Sequence, residues 1–364
     1  PFVTEIWQIY VLVFVLQSCS AAFTPTFQAT IPDVLPDEED YTRALSLSRL
    51  AYDLESLLSP SIAAALLTVA SYGVLFQCNA IGFVASAVLV LSVTLPRPRP
   101  VDRIGGIYAK LTYGIGVYLA TPRLRGLLAL GFSVSAAGSM IIVNTVVYAR
   151  DVLGGTDRDV ATLMLASGIG SIVAALALPR LLDRLPERPI MLAGGGALAV
   201  VLALAATMPG SAVAFVLWAL IGAASSVVQT PAGRLLRRSA HPEDRPALFS
   251  AQFALSHACW LLTYPLAGWL GATAGLAPTF VVMAALVIVG VAAAVILWPS
   301  VETEAPEHEH AAVEHDHLHV HDAHHPHDHA GDEGPEPHRH PHRHAPVRHA
   351  HRLVIDAHHP VWPR

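Results

Sequence analysis

The residues best suited to chemistry are crowded into the end of the chain. Eighteen of the 20 histidines fall between His308 and His359, in runs that read EHEH, HDHLHVH, HHPHDH and HRHPHRH. Neutral imidazoles mixed with carboxylates are ligands for borderline divalent ions such as Ni²⁺, Co²⁺ and Zn²⁺. The candidate metal ligands are His308, His310, His315, His317, His319, His321, His324, His325, His327, His329, His338, His340, His342 and His344. In an extended chain His315, His317, His319 and His321 alternate onto one side, about 7 Å apart, so neighbouring rings can share an ion. The stretch has almost no bulky apolar residues and cannot offset its ordering entropy, which predicts a disordered tail over 300–364. A solvated low-complexity tail that binds metal only in vitro has the same composition.

A second set of chemical groups lies inside apolar runs, where ionisable side chains are expensive and mark function. The run 44–70 holds Arg49, Asp53 and Glu55. Ser46, Arg49, Asp53, Ser56 and Pro60 recur at helical spacing and share a face, with Glu55 on an adjacent one. Such a helix should line a polar cavity, with Pro60 a kink. Asp53 and Glu55 are candidates for cation or proton binding, with Arg49 controlling Asp53 through an i, i+4 pair; a purely structural ion pair is the alternative. His257, alone in its apolar run, is a candidate ligand or proton relay, or a histidine bonded to neighbouring helices. Gln229 and Asn144 join the pathway candidates as oxygen ligands, against the plainer role of interhelical hydrogen bonds.

The elements that must position these groups follow from composition. The chain is 53% hydrophobic and only 14% charged, where a soluble domain carries about 25% charged residues. Nine apolar runs, near 6–23, 44–70, 72–95, 126–149, 160–182, 190–208, 212–232, 247–272 and 277–299, are long enough to cross a bilayer as helices. This is an all-α, polytopic membrane protein. Cys19, Cys78 and Cys259 are isolated, so neither a disulfide framework nor a thiolate metal site is expected. No nucleotide-binding motif, nucleophile triad or HExxH is present, so the chain is not read as an enzyme and needs no resident cofactor.

Arginines concentrate in alternate loops, at 97–125, 180–188 and 234–245, which the positive-inside rule places in the cytoplasm. The count puts the acidic 33–43 loop and the histidine tail on that side too. The arginines are topogenic rather than a nucleic-acid site. The domains expected are a transmembrane part over 1–95, a central cytoplasmic loop over 96–125 with a surface helix near 104–113, a six-helix half over 126–299, and the tail over 300–364. A weak repeat relates Gln28, the Pro36–Glu39 loop and Pro60 to Gln229, the Pro242–Asp244 loop and Pro265. With three spans before the central loop, six after it and Pro1 in place of an initiator Met, the reading expects a fragment short of three upstream helices.

At this point residues 1–299 resemble the major facilitator superfamily of secondary transporters. Ser59-Pro60-Ser61-Ile62-Ala63-Ala64, preceded by Glu55, is similar to the antiporter motif GxxxGPxxGG, with Glu55 and Ser59 in place of glycines. The stretch 179–184 with Arg188 after it is similar to the GxxxDRxGR loop, which implies a gating role for Asp183, Arg184 and Arg188. A body of this kind ending in a histidine-rich tail resembles the bacterial nickel-resistance exporters. That resemblance implies a two-half helical bundle, nine of its twelve helices present here, exporting Ni²⁺, Co²⁺ or Zn²⁺ by proton antiport. The expected setting is the bacterial inner membrane and the expected partners are the divalent ion, protons and lipid, with the chain monomeric. An exporter of drugs or siderophores whose tail only buffers metal, and a metal sensor or store anchored by its helices, are the competing readings.

Overall fold

The computed structural model describes residues 5–94, 96, 106–300, 307–310, 313–319, 338–344, 347–350, 354–355 and 362. Residues 1–300 form one compact unit and 301–364 another.

The first unit is helical throughout its described residues. Its helices are α1 (Ile6–Val34), α2 (Glu38–Leu67), α3 (Tyr72–Ser92), α4 (Ile107–Ala120), α5 (Pro122–Val147), α6 (Asp157–Leu182), α7 (Glu187–Ala205), α8 (Ser211–Gln229), α9 (Ala232–Arg238), α10 (Arg245–Ala274) and α11 (Leu276–Leu297). Every apolar run singled out in the sequence is helical. Among the described residues seven helices are long and apolar enough to cross a membrane, while α2 and α10 are long enough but more polar. Local chemistry sets several starts. Asp37 Oδ1 accepts from the backbone N–H groups of Glu39 (2.9 Å) and Asp40 (3.1 Å), and three acids fill the first turn of α2, which suits the positive end of the helix. Thr156 and Asp159 cap α6 reciprocally, and Pro122 opens α5 at a position whose N–H would lack a partner anyway.

Within the loop expected over 96–125, the helix expected near 104–113 is α4, longer than expected. Helix α4 runs to Ala120 and α5 begins at Pro122, four residues before the expected start of that span. The arginines misled the sequence reading. Arg123 is buried and makes packing bonds, from Nε to Ser239 Oγ (2.7 Å) and from Nη2 to the Arg238 carbonyl (3.0 Å). Tyr118 of α4 is also buried and donates to Gln252 of α10 at 2.5 Å.

Helix α5 packs against α10 and α11, α7 against α8 and α11, and α6 against α8, while α2 lies on α6 and α1 on α10. The α6–α8 seam is the tightest. A Cβ on Gly170 would meet the Ala219 carbonyl at 1.8 Å, and one on Gly222 would meet the Ser167 carbonyl at 1.8 Å. Each helix thus presents a glycine to the other's backbone, the small-residue contact by which helices associate where lipid removes the hydrophobic drive. At one end of the bundle Trp218 donates to Thr145 at 2.9 Å and Tyr148 to the Pro209 carbonyl at 2.6 Å. A π turn at Tyr148–Val152 ends α5 there.

In the second unit the described residues include two antiparallel pairs. Strands β1 (Glu307–His310) and β4 (Val347–Ala350) pair antiparallel, as do β2 (Val313–His319) and β3 (His338–His344). In their register Glu309 stands opposite Arg348 and Glu314 opposite Arg343. His321, His324, His325, His327 and His329 lie outside the described residues.

Because no atom can be added at the α6–α8 contact without moving backbone, Gly170→Val and Gly222→Val should each destabilise the bundle by about 1–3 kcal/mol. Thermal unfolding in detergent should show a lowered Tm for both, and an unchanged one for Val173→Leu, an exposed position on α6.

Candidate functional site

Helix α2 carries the site on one face. Glu38, Thr42, Ser46, Arg49 and Asp53 follow one another at intervals of three or four residues, the spacing that stacks side chains on one side of a helix. That face meets α6, α8 and α9.

Asp53 is buried, at 5% exposure. Its Oδ1 lies 3.3 Å from Arg49 Nη2. Arg49 is held in turn by groups from elsewhere in the chain: Nε and Nη2 donate to Ser171 Oγ of α6 (3.2 and 3.1 Å), and Nη1 to Gln229 Oε1 at the end of α8 (3.4 Å). The guanidinium also lies over the ring of Tyr52, 5.5 Å from its centroid. Among the described residues the other carboxylate oxygen, Asp53 Oδ2, is buried without a hydrogen-bond partner, and so is Ser46 Oγ one turn before Arg49. A buried ion pair with one oxygen left open can take up a proton or a cation at that oxygen.

The sequence candidates separate. Arg49, Asp53 and Gln229 are brought together. Glu55 is exposed, on the other side of α2. His257 is exposed, stacked on Phe253 at 4.0 Å, with Nδ1 2.7 Å from the Phe253 carbonyl one turn earlier. Asn144 is buried between α5 and α10, donating to the Ala267 carbonyl at 3.2 Å. Pro60 lies within α2, and its side chain is outside the described residues. Among the described residues no three His, Cys, Asp or Glu groups converge into a metal cluster. An apolar groove of about 660 Å³, lined by Ile190, Gly194, Leu220 and Val227 among others, opens between α7 and α8 and shares no residue with the Arg49–Asp53 pair.

Sequence reasoning missed Ser171, a lone hydroxyl in a Gly/Ala-rich run, and it missed the hub of the arginine-rich end. Glu187, at the first turn of α7 and 7% exposed at its side chain, accepts from Arg234 Nε (3.0 Å) and from Arg238 Nη1 (2.9 Å). Arg234 reaches on to Thr42 (3.1 Å) and Glu38 (2.5 Å) of α2. Arg245 pairs with Asp33, and Arg237 donates to the Pro36 carbonyl. The acidic 33–40 loop and the arginines of 234–245 therefore meet at one end of the bundle, as the loop count requires. Of the residues expected to gate, Asp183 and Arg184 are exposed, and Arg188 donates to the Trp298 (2.9 Å) and Val295 (3.3 Å) carbonyls at the end of α11. The visible signal was Glu187, an acid set among arginines.

This end is a latch between α2 and the α7–α9 corner. Glu187→Gln removes the anion shared by two guanidiniums, and breaking one partner of a buried pair costs about 3–5 kcal/mol. In a cysteine-free background, Ser46→Cys should label slowly with maleimide. Adding Glu187→Gln should speed labelling by about tenfold for each 1.4 kcal/mol of closure lost, and an unchanged rate would show that Glu187 does not hold the end shut.

Comparisons with known proteins agree with this architecture. A crystal structure of a bacterial homologue of the iron transporter ferroportin, in an outward-facing state, has a TM-score of 0.61 to this chain at 17% identity, covering 81% of this chain and 75% of that one. At that identity the likeness speaks for the fold alone. A comparison with curated proteins finds no match. The profile for a transmembrane secretion effector family matches residues 2–232, and the profile for the Major Facilitator Superfamily matches residues 127–354. With more than half of its length matched, this chain belongs to the Major Facilitator Superfamily.

Proposed function

We propose that the chain is a secondary transporter that exports divalent transition-metal cations, Ni²⁺ foremost and Co²⁺ or Zn²⁺ besides, in exchange for protons. The observation that carries the exchange is Asp53, buried with Oδ1 on Arg49 and Oδ2 unpartnered. A carboxylate in apolar surroundings needs a compensating positive charge or a proton. Arg49 supplies that charge in the present state as a tethered cation, steadied by Ser171 and Gln229. A metal ion or a proton arriving at Asp53 competes with Arg49 and with each other, which is the electrostatic basis of antiport. The choice of a metal cargo rests on the histidines of 308–344, whose chemistry suits borderline divalent ions. The structurally similar homologue of an iron transporter fits a metal cargo.

The arginine-rich end is latched in this state, and by the positive-inside rule that end is cytoplasmic. The site would then be reached from outside, in a bacterial inner-membrane protein whose tail lies on the cytoplasmic side of the membrane.

Growth of a metal-sensitive bacterial host on graded Ni²⁺, Co²⁺, Zn²⁺ and Cu²⁺ tests the reading. The intact chain should raise the tolerated concentration of Ni²⁺ most, and Asp53→Asn should return tolerance to that of the empty host. Absence of protection against every ion would overturn metal export, and full protection by Asp53→Asn would remove the coupling site. The separation of Glu55 and His257 from Asp53 favours a second reading, an exporter of organic molecules whose tail buffers metal. In that case a chain ending at Ser300 would lose what protection the intact chain gives, while Asp53→Asn would keep it.

A further inference from the structure

In a bilayer an apolar groove gains nothing by shedding water, so its occupant is selected by fit and by the charge at its mouth. Every side chain lining the groove between α7 and α8 is apolar. Pro189, Ala193, Gly196 and Val200 recur every three or four residues and form its α7 wall, with Leu220 and Val227 of α8 opposite. Small residues hold the slot open: a Cβ on Gly196 would meet nothing within 4 Å, whereas one on Gly194 would meet Val227 at 2.9 Å. From Pro189 to Val201 the wall covers about 18 Å. One leaflet of the hydrocarbon core is roughly 15 Å deep. A methylene chain fits such a slot and gains many small dispersion contacts there.

The groove begins at the turn from α6 to α7, and that turn is basic. Leu181 and Leu185 line it there, with Arg184 between them. The helical winding continues through this turn, since the N–H groups of Arg184 and Leu185 both donate to the Leu181 carbonyl, at 3.1 and 3.0 Å. Arg180 stands four residues before Arg184, so the two share a side, and both are exposed. Arg188, next to Pro189, directs Nε and Nη2 to the Trp298 and Val295 carbonyls, which leave its charge unneutralised. Among the described residues no ion pair holds Arg180, Arg184 or Arg188. Glu187 is committed to Arg234 and Arg238, which leaves Asp183 as the acid of this turn. A partner for this corner carries an anion at one end and an apolar chain at the other. A second copy of the chain fits worse, because it would bring its own arginines against these.

We propose that the α7–α8 groove binds one anionic phospholipid, with an acyl chain along the slot and the headgroup phosphate at Arg180 and Arg184. Guanidinium groups suit this role because their forked donors match phosphate oxygens and stay charged at any physiological pH. By the positive-inside rule the arginine-rich end faces the cytoplasm, and the leaflet on that side is the one that carries anionic lipid. The apolar wall gives the chain its place, and the arginines select the headgroup. The site shares no residue with the Arg49–Asp53 pair and does not depend on what is exported.

The test is titration of the full-length protein in detergent with phosphatidylglycerol or phosphatidylcholine, read by native mass spectrometry of the lipid retained. Phosphatidylglycerol should bind more tightly, and excess inorganic phosphate should not displace it. Three variants are compared: Arg180→Gln with Arg184→Gln; Arg150→Gln with Arg158→Gln, which removes as many arginines from other loops; and Gly196→Leu, which fills the slot. The first should weaken the tightest phosphatidylglycerol by about fivefold for each arginine removed, and the second should leave it within about twofold of the parent. Gly196→Leu should lose that lipid with every arginine in place. Arg180 and Arg184 are exposed and unpaired, so their removal decides the matter should Gly196→Leu fail to fold. Equal affinity for the two lipids, equal loss from both arginine pairs, displacement by inorganic phosphate, or a dimer that Gly196→Leu disperses would each overturn the lipid site.

Discussion

A guanidinium and a carboxylate inside a membrane protein are stable only where each finds compensation, and the Arg49–Asp53 pair governs how the helices around it are arranged. Taking both charges out of water costs more than their attraction returns unless further hydrogen bonds are made. Helix α2 supplies the charges, but the bonds come from Ser171 on α6 and Gln229 on α8. Ser171 follows Gly170, the residue that lets α6 approach α8 closely. The electrostatics of the site thus rest on a backbone contact in which neither partner has a side chain to spare. A bulkier residue there would push α6 away from α8 and also withdraw the hydroxyl on which Arg49 depends.

The latch at the arginine-rich end and the buried pair are read out by the same face of the same helix. Glu38 and Thr42 meet Arg234, and Arg49 and Asp53 follow on that face. At 1.5 Å per residue the 15 residues from Glu38 to Asp53 span roughly 22 Å of rigid rod. Loosening the contacts of Glu38 and Thr42 releases one end of α2, and movement of that end must change how Arg49 meets Ser171 and Gln229. Glu187 strengthens the coupling because it gathers Arg234 and Arg238 on α9 and fixes them to α7. The arginine-rich end and the buried pair are two places on one helix, so under the proposed transport a change at one must reach the other.

Much of this was legible in the sequence, for identifiable reasons. Long apolar runs gave the helices, since only helices satisfy the backbone in lipid, and the three-to-four spacing of Ser46, Arg49 and Asp53 gave the polar face. The reading set Glu55 on an adjacent face and kept it with Asp53, although two residues are roughly 200° of helical turn and Glu55 is exposed. What failed to show was tertiary. Ser171 has no periodic signature, and its partner Arg49 is 122 positions away. Arg123 looked topogenic and is buried against Ser239. His257, alone in an apolar run, has its Nδ1 beside a carbonyl of its own helix.

The separation of histidines from the buried pair has a physical logic under the proposed export. A site that must release its ion cannot also hold it tightly, and a single carboxylate shared with a guanidinium is a weak, exchangeable ligand. Imidazoles gathered several to an ion hold it much better, but they would trap a cargo in mid-membrane. In the proposed export, histidines in the tail and a contested carboxylate in α2 would divide capture from movement. Asp53 never needs to be bare: Arg49, a proton or the cation can each satisfy it in turn, and each arrival displaces the last. Because leaving the carboxylate uncompensated costs more than any of these exchanges, the passage of one charge obliges the movement of another. Coupling then follows from burial itself, without a separate device to enforce it.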